Sequence, residues 1–453
     1  MKIQFGTARR CITPQEPISL SGYFNRRVWD HVLDDLEVRA IVFKDGKKLA
    51  AMLHLDTLAI NSLLFNAIKS ALKKAGLARF FGDDNLLIAA THTHTGPNTF
   101  NEPNSKSYRE FAAAQAAAAL KDAMRNIRHG ELLEGMAHDC RFQFNRRYWM
   151  KNGHVVTNPG KLNPEILRPE GEIDPEIPLL AIRTDAGLEV LFSSCVNHSD
   201  TIGGCGVSAD WPGFLRRELE ADMAPGAMVI PMVGASGNIN HFDVSNDTNQ
   251  TCYAEARRIG RGYAESIRAV LPELKPVAGS KFSSASVKVK VSPRKISSQE
   301  IAGALAVVEK YPEIDIEQTN SQVALTSEDL ARGTPYALKY FAVKLLDIAK
   351  NTRKPQFLLT MFKFGKSSVL VSLPSEPFVE IGLAIRKGIF AGSNCLLTSH
   401  GNYNGGKIFA GGYIPNAWNY GRGGYEDTPR SSGYSTDTAE KLIAAWKKLA
   451  EKK

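Results

Sequence analysis

Two histidines separated by a single residue form the strongest chemical signal in the chain, the THTHTGP of residues 91–97. This stretch follows the short apolar run of residues 86–91, which we interpret as a buried strand. Side chains two positions apart on an extended chain face the same side, so His92 and His94 are expected to project together from a strand end. Two imidazoles at this spacing suit zinc or a similar metal, and two hydrogen-bonded structural histidines are the alternative.

Single polar residues follow other predicted elements. His198 comes just after the apolar run of residues 191–196, and we predict either a third nitrogen ligand or a satisfied loop histidine. Asp210 stands at the start of a predicted helix, where a capping role and a supporting role near the site are equally favoured. Glu376 ends a strand and begins a helix, so it is either a carboxylate favoured by the helix dipole or a metal ligand.

A turn containing two glycines, VGASGNIN at residues 233–240, follows the predicted buried strand 227–233. It nearly matches the nucleophile elbow G-x-S-x-G, but Asn238 occupies the place of the last glycine, which disfavours Ser236 as a nucleophile. The glycines are expected to let the backbone approach a ligand closely.

A stretch dense in glycine and tyrosine, residues 399–435, shows no regular helix or strand pattern. It carries Tyr413 and Tyr425, each preceded by two glycines. A segment this long predicts a functional loop with a hydrogen-bonding rim, and a plain solvated loop is the alternative.

Strand and helix signals alternate from end to end, which predicts an α/β layered sandwich of mixed β-sheets flanked by helices, in one large catalytic domain over residues 1–453. Residues 276–353 are richer in Lys and Ser and are a candidate inserted subdomain. The predicted strands are 36–43, 48–58, 86–91, 178–184, 189–196, 227–233, 281–291, 356–364 and 367–373. The predicted helices are 61–75, 108–127, 211–222, 252–270, 298–310, 327–350, 377–388 and 436–451.

The amino-acid composition excludes several classes of protein. With 43% hydrophobic and 23% charged residues in 453, disorder and fibre are excluded. The net charge of +9 fits an anionic small-molecule substrate or simply a basic surface, and no nucleic-acid-binding motif accompanies it. We find no export signal and no run of about 18 apolar residues, so no integral membrane association is expected. Six scattered cysteines without a CxxC pair favour reduced thiols, at most one disulfide and a cytoplasmic location.

Taken together, these segments resemble the catalytic domain of the neutral/alkaline non-lysosomal ceramidase family over nearly the whole chain. The resemblance begins with CITP at residues 11–14 and LSGY at residues 20–23, and it runs through THTHTGP, the His198 loop with residues 208–213, the glycine turn, Glu376 and the tyrosine loop. The order and spacing of these separate motifs make the resemblance specific.

The resemblance implies one zinc ion per chain and a water, activated by that zinc, which attacks an amide carbonyl. Its motifs also imply a role for individual residues. The implied zinc ligands are His92, His198, Glu376 and Tyr413. The implied catalytic residues are His94, which relays a proton to the leaving nitrogen, and Arg146 and Tyr425, which stabilise the oxyanion. Weaker candidates for substrate binding are Asn240, Tyr23 and Arg26, and for an anionic substrate also Arg27 and Arg147.

Two asparagines depart from the family pattern. The family's turn reads G-D-V-S-P-N, whereas Asn238 and Asn240 stand here in place of its Asp and Ser, so a serine-acyl mechanism is unsupported. We also expect no C-terminal β-domain of the family's kind. The expected lack of that domain and of an export signal favours a soluble small-molecule substrate over membrane ceramide.

Other functions and one other fold are alternatives at this stage. The same fold and metal would serve an esterase, a lactonase or a sugar deacetylase, and a non-catalytic metal- or ligand-binding homologue is a further alternative. An amidohydrolase barrel also opens on an HxH motif, but it needs two more histidines and a strand-end aspartate. The sequence sets no oligomeric state.

Overall fold

Two β-sheets packed face to face form the centre of the protein, and helices cover their outer faces. This architecture is seen in a computed structural model, which describes residues 1–24, 26–316, 329, 332–350, 355–401 and 412–451. It is the α/β layered sandwich with mixed sheets that the sequence predicts, and the described strands form no closed barrel.

The larger sheet is mixed, with parallel and antiparallel neighbours. Its main path runs β16-β14-β13-β8-β1-β5-β6-β7, and β18 joins it beside β8. Neighbours are antiparallel from β14 to β6, while the outermost pairs β14/β16 and β6/β7 are parallel. The strands, in chain order, are β1 (Lys2–Cys11), β2 (Ser19–Leu20), β3 (Arg27–Val28), β4 (His31–Val32), β5 (Glu37–Asp45), β6 (Lys48–Leu55), β7 (Leu86–Ala90), β8 (Arg128–His138), β9 (Phe144–Asn145), β10 (Arg147–Met150), β11 (Val155–Thr157), β12 (Ile166–Pro169), β13 (Glu176–Thr184), β14 (Gly187–Cys195), β15 (Gly206–Val207), β16 (Met228–Val233), β17 (Ile239–Asn240), β18 (Lys275–Pro276), β19 (Phe282–Lys290), β20 (Gln356–Phe364), β21 (Ser368–Ser372), β22 (Glu376–Pro377), β23 (Asn394–Thr398) and β24 (Tyr413–Ile414).

The smaller sheet, in the order β19-β20-β21-β23, packs against the larger one. Phenylalanines from both sheets fill the space between them, and the rings of Phe43 and Phe364 lie 5.0 Å apart between centroids. Strand β7 is covered on both faces, since its residues divide between two core clusters, and its sequence LLIAA is therefore apolar throughout and fully buried.

Helices pack on the outer faces through apolar residues spaced three or four apart. The helix α1 buries Leu64, Ile68 and Leu72, and Asn61 caps it by accepting from the backbone N–H groups of residues 63 and 64. The α-helices are α1 (Ser62–Lys74), α2 (Ser105–Arg125), α3 (Asp210–Glu220), α4 (Tyr253–Val270), α5 (Ser298–Lys310), α6 (Pro335–Ala349), α7 (Val379–Leu383) and α8 (Thr438–Ala450). Short 3-10 turns cover Leu271–Glu273, Ala417–Asn419 and Tyr425–Asp427, and a π-helical segment covers Ala384–Ile389.

Most predicted elements are present within a few residues, but three of the described strands with five or more residues were not predicted, and neither were the shorter strands. The three longer strands are β1, β8 and β23. Polar and charged residues interrupt β1 and β8, and β23 is only five residues long, so none gives a clear apolar pattern. The predicted helix 377–388 is divided between α7 and the π-helical segment. The helix predicted over 327–350 corresponds to α6 in its described part, and residues 317–328 lie outside the described residues.

Asp210 lies one residue inside α3, because Ala209 is the N-cap and Asp210 is the first helical residue, with a left-handed φ of 57°. Its carboxylate accepts from the backbone N–H of Trp211 in the first turn at 2.6 Å and from that of Thr201 at 2.9 Å. Asp210 therefore supports the loop that carries His198.

Within residues 276–353, strand β19 is part of the smaller sheet. All six cysteines are unpaired, as the scattered pattern predicts. None of the helices in the described part of the chain is long and apolar enough to cross a bilayer.

Candidate functional site

Three segments that each follow a strand bring His92, His198 and Glu376 together. The Nε2 atoms of His92 and His198 lie 3.1 Å apart. The Oε2 atom of Glu376 lies 3.6 Å from the first of these nitrogens and 3.5 Å from the second. The three atoms therefore form a small triangle, and both histidines are buried.

The backbone fixes the orientation of both imidazoles. The Nδ1 atom of His92 lies 2.8 Å from the carbonyl oxygen of Leu58. The Nδ1 atom of His198 lies 2.9 Å from the carbonyl oxygen of Ser236 and 3.0 Å from that of Ile239. A carbonyl only accepts, so Nδ1 carries the proton in each ring and the lone pair of Nε2 points into the triangle.

This donor set fits a zinc ion. Two lone pairs facing each other at 3.1 Å repel unless a cation lies between them. Ligand atoms around tetrahedral zinc, at about 2.0–2.1 Å from the metal, are separated by about 3.4 Å, close to the sides of the observed triangle. Two imidazoles and a carboxylate are also a usual zinc ligand set.

The electrostatics keep these groups in the forms that bind metals. Burial, and next the neighbouring His198, lower the pKa of His92 to about 4, so its imidazole is neutral. Burial alone would raise the pKa of Glu376, but His198 and His92 outweigh it and hold that pKa well below its usual range. The set thus includes the neutral imidazole of His92 and the ionised carboxylate of Glu376.

His94 lies against the same group. Its Nε2 atom is 3.2 Å from that of His92, and His92, His94 and His198 together form a cluster that could hold a metal. The ring of Tyr23 meets His94 edge-on at 5.3 Å, and Arg27 donates to the carbonyl of His94 at 2.6 Å. The position fits either a third nitrogen ligand or a proton relay beside the metal.

Tyr413, Tyr425 and Arg146 lie on the other side of Glu376. Tyr413 is the register partner of Glu376 in the parallel pair β22/β24, and its hydroxyl lies 3.4 Å from that of Tyr425. The guanidinium carbon of Arg146 lies 5.0 Å from the ring centre of Tyr413 and 5.5 Å from that of Tyr425. Burial raises the pKa of both tyrosines well above the usual value, so both hydroxyls keep their protons in this state. Tyr425 can therefore donate a hydrogen bond.

Two of the candidate arginines are structural and not open to a substrate. Arg147 is fully buried and pairs with Glu170 at 2.5 Å and with Glu426 at 2.8 Å. Arg27 is buried and donates to backbone carbonyls, including that of Ser21 at 2.9 Å. Both guanidinium groups are therefore bound by other groups of the protein.

The weaker substrate-binding candidates fall in different places. Asn240 is fully buried, and its amide nitrogen donates to the side-chain oxygen of Asn158 at 3.0 Å. Tyr23 contacts His94, while its hydroxyl donates to the carbonyl of Asp200 at 3.1 Å. Arg26 is partly exposed and lies 3.7 Å from Glu102.

His400 is a site residue that the sequence reasoning missed. It follows β23 directly, and its ring stacks on that of His92 with 3.7 Å between centroids and 13° between planes. Like His92 and Ser375, it has a left-handed φ, at 53° against 62° and 58°. Such strain at non-glycine residues collects at functional sites. A histidine between the apolar run CLLT and a glycine was the available signal.

Comparison with solved structures finds this fold in two ceramidases. The neutral ceramidase from Pseudomonas aeruginosa matches 100% of this chain and 75% of its own with a TM-score of 0.70 and 17% identity. A ceramidase complexed with C2 matches 99% of this chain and 75% of its own, also with a TM-score of 0.70 and 17% identity. No protein-family model matches the sequence, and no curated protein matches it significantly. The chain thus has a neutral ceramidase-like fold, as its motifs predict.

Proposed function

We propose that the protein is a zinc-dependent hydrolase that cleaves the amide bond of a small N-acyl compound. The observation that carries the proposal is the triangle formed by the Nε2 atoms of His92 and His198 and the Oε2 atom of Glu376. Tyr413, beside Glu376, is the fourth ligand that we propose. The likeness of fold to ceramidases supports amide chemistry.

Zinc at such a site polarises a carbonyl and lowers the pKa of a bound water to about 7. The chain's own residues supply the remaining chemistry. Arg146 and Tyr425 donate hydrogen bonds to the oxyanion that develops on the amide carbonyl, and each such donor contributes about 3–4 kcal/mol. His94 carries a proton to the leaving nitrogen, which must be protonated before it departs as an amine.

We infer a soluble small molecule as the substrate and retain the cytoplasmic location as a prediction. Asn240 stands where the ceramidase motif has its serine, and its amide binds Asn158 inside the protein. The mechanism that we propose therefore needs no serine nucleophile.

Metal removal tests the proposed function. The full chain should bind about one zinc ion and hydrolyse at least one amide in a panel of N-acyl amines, N-acyl amino acids and matched esters. A chelator should abolish hydrolysis, and added zinc should restore it, because the triangle has no other source of positive charge at its centre. Full activity in verified metal-free protein contradicts zinc dependence, and hydrolysis of the esters alone contradicts the amide assignment. Bound zinc without any hydrolysis favours the non-catalytic alternative.

His400 gives a second expected result. Replacing it by alanine should weaken zinc retention about 10-fold, because the stacked ring keeps His92 in place and residues behind metal ligands typically contribute 10- to 100-fold in affinity. The control is His400→Phe, which meets the same backbone strain but keeps an aromatic ring on His92. Competition with a chromophoric chelator measures both constants. Equal affinity in wild type and His400→Ala would show that the stacking does not position His92.

A further inference from the structure

A group of aromatic and basic side chains next to Tyr425 lies outside the ligand set. It consists of Phe24, Tyr340, Phe341 and Arg430, which we call the arginine wall. Phe24 meets Tyr425 edge-on with 5.7 Å between ring centroids. It also contacts Tyr340 at 6.1 Å and Phe341 at 6.4 Å, both of which belong to α6. The arginine wall therefore brings together the loop that carries Phe24, the helix α6 and the tyrosine loop. It lies next to Tyr425, the catalytic tyrosine that we propose.

Arg430 is held at this wall by the faces of two rings. Its guanidinium carbon lies 5.1 Å from the ring centre of Phe24 and 5.4 Å from that of Tyr340. One of its nitrogens donates to the hydroxyl of Tyr340 at 2.9 Å. These contacts fix the plane of the guanidinium but use only one of its five N–H donors.

Arg430 differs from the other arginines near the site in having no anionic or carbonyl partner within the described ranges of the chain. Arg147 is bound by two carboxylates, Arg27 by backbone carbonyls, and Arg146 by Glu426 and the carbonyl of Gly237. Arg430 is only half-exposed, so its remaining donors are not simply in bulk water. A half-buried, oriented guanidinium with free donors is an anion-binding group.

We propose that Arg430 binds a carboxylate of the substrate, which makes the preferred substrate an N-acyl amino acid or a similar anionic amide. This proposal rests on the proposed function and adds its substrate class. The planar fork of arginine donates two parallel hydrogen bonds to a carboxylate, and the flanking rings exclude water from that contact. The net charge of +9 is in keeping with an anionic substrate.

The test compares N-octanoylglycine with N-octanoylglycinamide, which has the same shape but no charge. In the wild type, kcat/KM should favour the acid by about 10- to 100-fold, as expected for hydrogen bonds to a charged group. In Arg430→Gln this ratio should fall to about one, mainly through a higher KM for the acid, and Arg430→Lys should restore part of it. Zinc content and thermal unfolding verify that each variant is folded and loaded.

The matched control is Arg422→Gln. Arg422 lies on the same loop and packs on Trp418 at 4.7 Å, but it has an acidic neighbour in Glu170 at 3.5 Å. Its variant should keep the wild-type ratio. A wild-type ratio near one, or an unchanged ratio in Arg430→Gln, overturns the proposal.

Binding separates this proposal from the proposed function. If the zinc-loaded wild type hydrolyses neither compound, the hydrolase assignment fails for this substrate class, and calorimetry with the same two compounds then decides the role of Arg430. Tighter binding of the acid than of the amide in the wild type, lost in Arg430→Gln, supports the carboxylate site. Equal or undetectable binding of both compounds overturns it.

Discussion

Replacing His198 by alanine should remove zinc from the protein and lower kcat/KM for the amide substrate at least about 1000-fold, since a catalytic metal contributes several kcal/mol to the transition state. His198 is fully buried, and its Nε2 atom lies within 3.5 Å of the other two corners of the triangle. Two backbone carbonyls hold its Nδ1 atom, so its Nε2 atom is oriented toward the other two corners. Elemental analysis after dialysis measures the zinc content.

His92→Ala should behave in the same way, since its Nε2 atom is another corner of the triangle. The control is His129→Ala, because His129 is exposed on β8 and its side chain contacts Gln4. That variant should retain stoichiometric zinc. Stoichiometric zinc in both His92→Ala and His198→Ala would show that the ligand assignment is wrong.

Adding a methyl group at Gly237 should damage the site without changing any ligand. A Cβ atom there would lie 2.4 Å from the carbonyl oxygen of Glu376 and 2.9 Å from that of Pro377. Both are backbone atoms, and the N–H of Gly237 donates to Pro377 at 2.8 Å, so the two segments cannot separate without losing that bond. Arg146 also donates to the carbonyl of Gly237 at 2.8 Å, so the displacement reaches the oxyanion donor as well.

For Gly237→Ala we expect the free energy of unfolding to fall by about 1–3 kcal/mol, the usual cost of overpacking. We expect kcat/KM to fall about 100-fold, as for a displacement of roughly 1 Å at a catalytic site. Urea unfolding and steady-state kinetics measure the two effects. Gly303→Ala is the control, because a Cβ in that position of α5 meets no atom within 4 Å; it should leave activity unchanged and raise stability by up to about 1 kcal/mol. Wild-type stability and activity in Gly237→Ala would contradict the close packing of this turn.

Local patterns in the sequence predicted a large part of the fold. Strands such as β7 and β16 and helices such as α1 and α5 lie within a few residues of their predicted positions, because apolar periodicity and capping depend on near neighbours in the chain. The central strand β1 was missed for the same reason. Its burial depends on β5 and β8, which are distant in sequence, and its own residues alternate poorly.

The candidate site was likewise predicted in part from local patterns. Residue type and position after a strand were enough to single out His92, His198 and Glu376, and the motif resemblance added Tyr413, Arg146 and Tyr425. The sequence also suggested Arg27, Arg147 and Asn240 as substrate contacts, but all three are buried and engaged with the protein itself. His400 and Arg430 stood in no recognised motif, and only their packing on His92 and Phe24 revealed them.

The sequence by itself determined the types of element, the chemistry of the donor groups and the family likeness, since these are properties of residues and short spacings. Only the tertiary structure decided which groups meet. His92 follows β7 at one end of the large sheet, and His198 follows β14 near the other end, yet their Nε2 atoms lie 3.1 Å apart. The backbone N–H of His94 donates to the carbonyl of Ser199 at 2.9 Å, and the hydroxyl of Ser199 donates to the carbonyl of Thr91 at 2.8 Å, so the loops after these two strands bind each other directly. These contacts join segments that are far apart in the chain, and no local segment of the sequence records them.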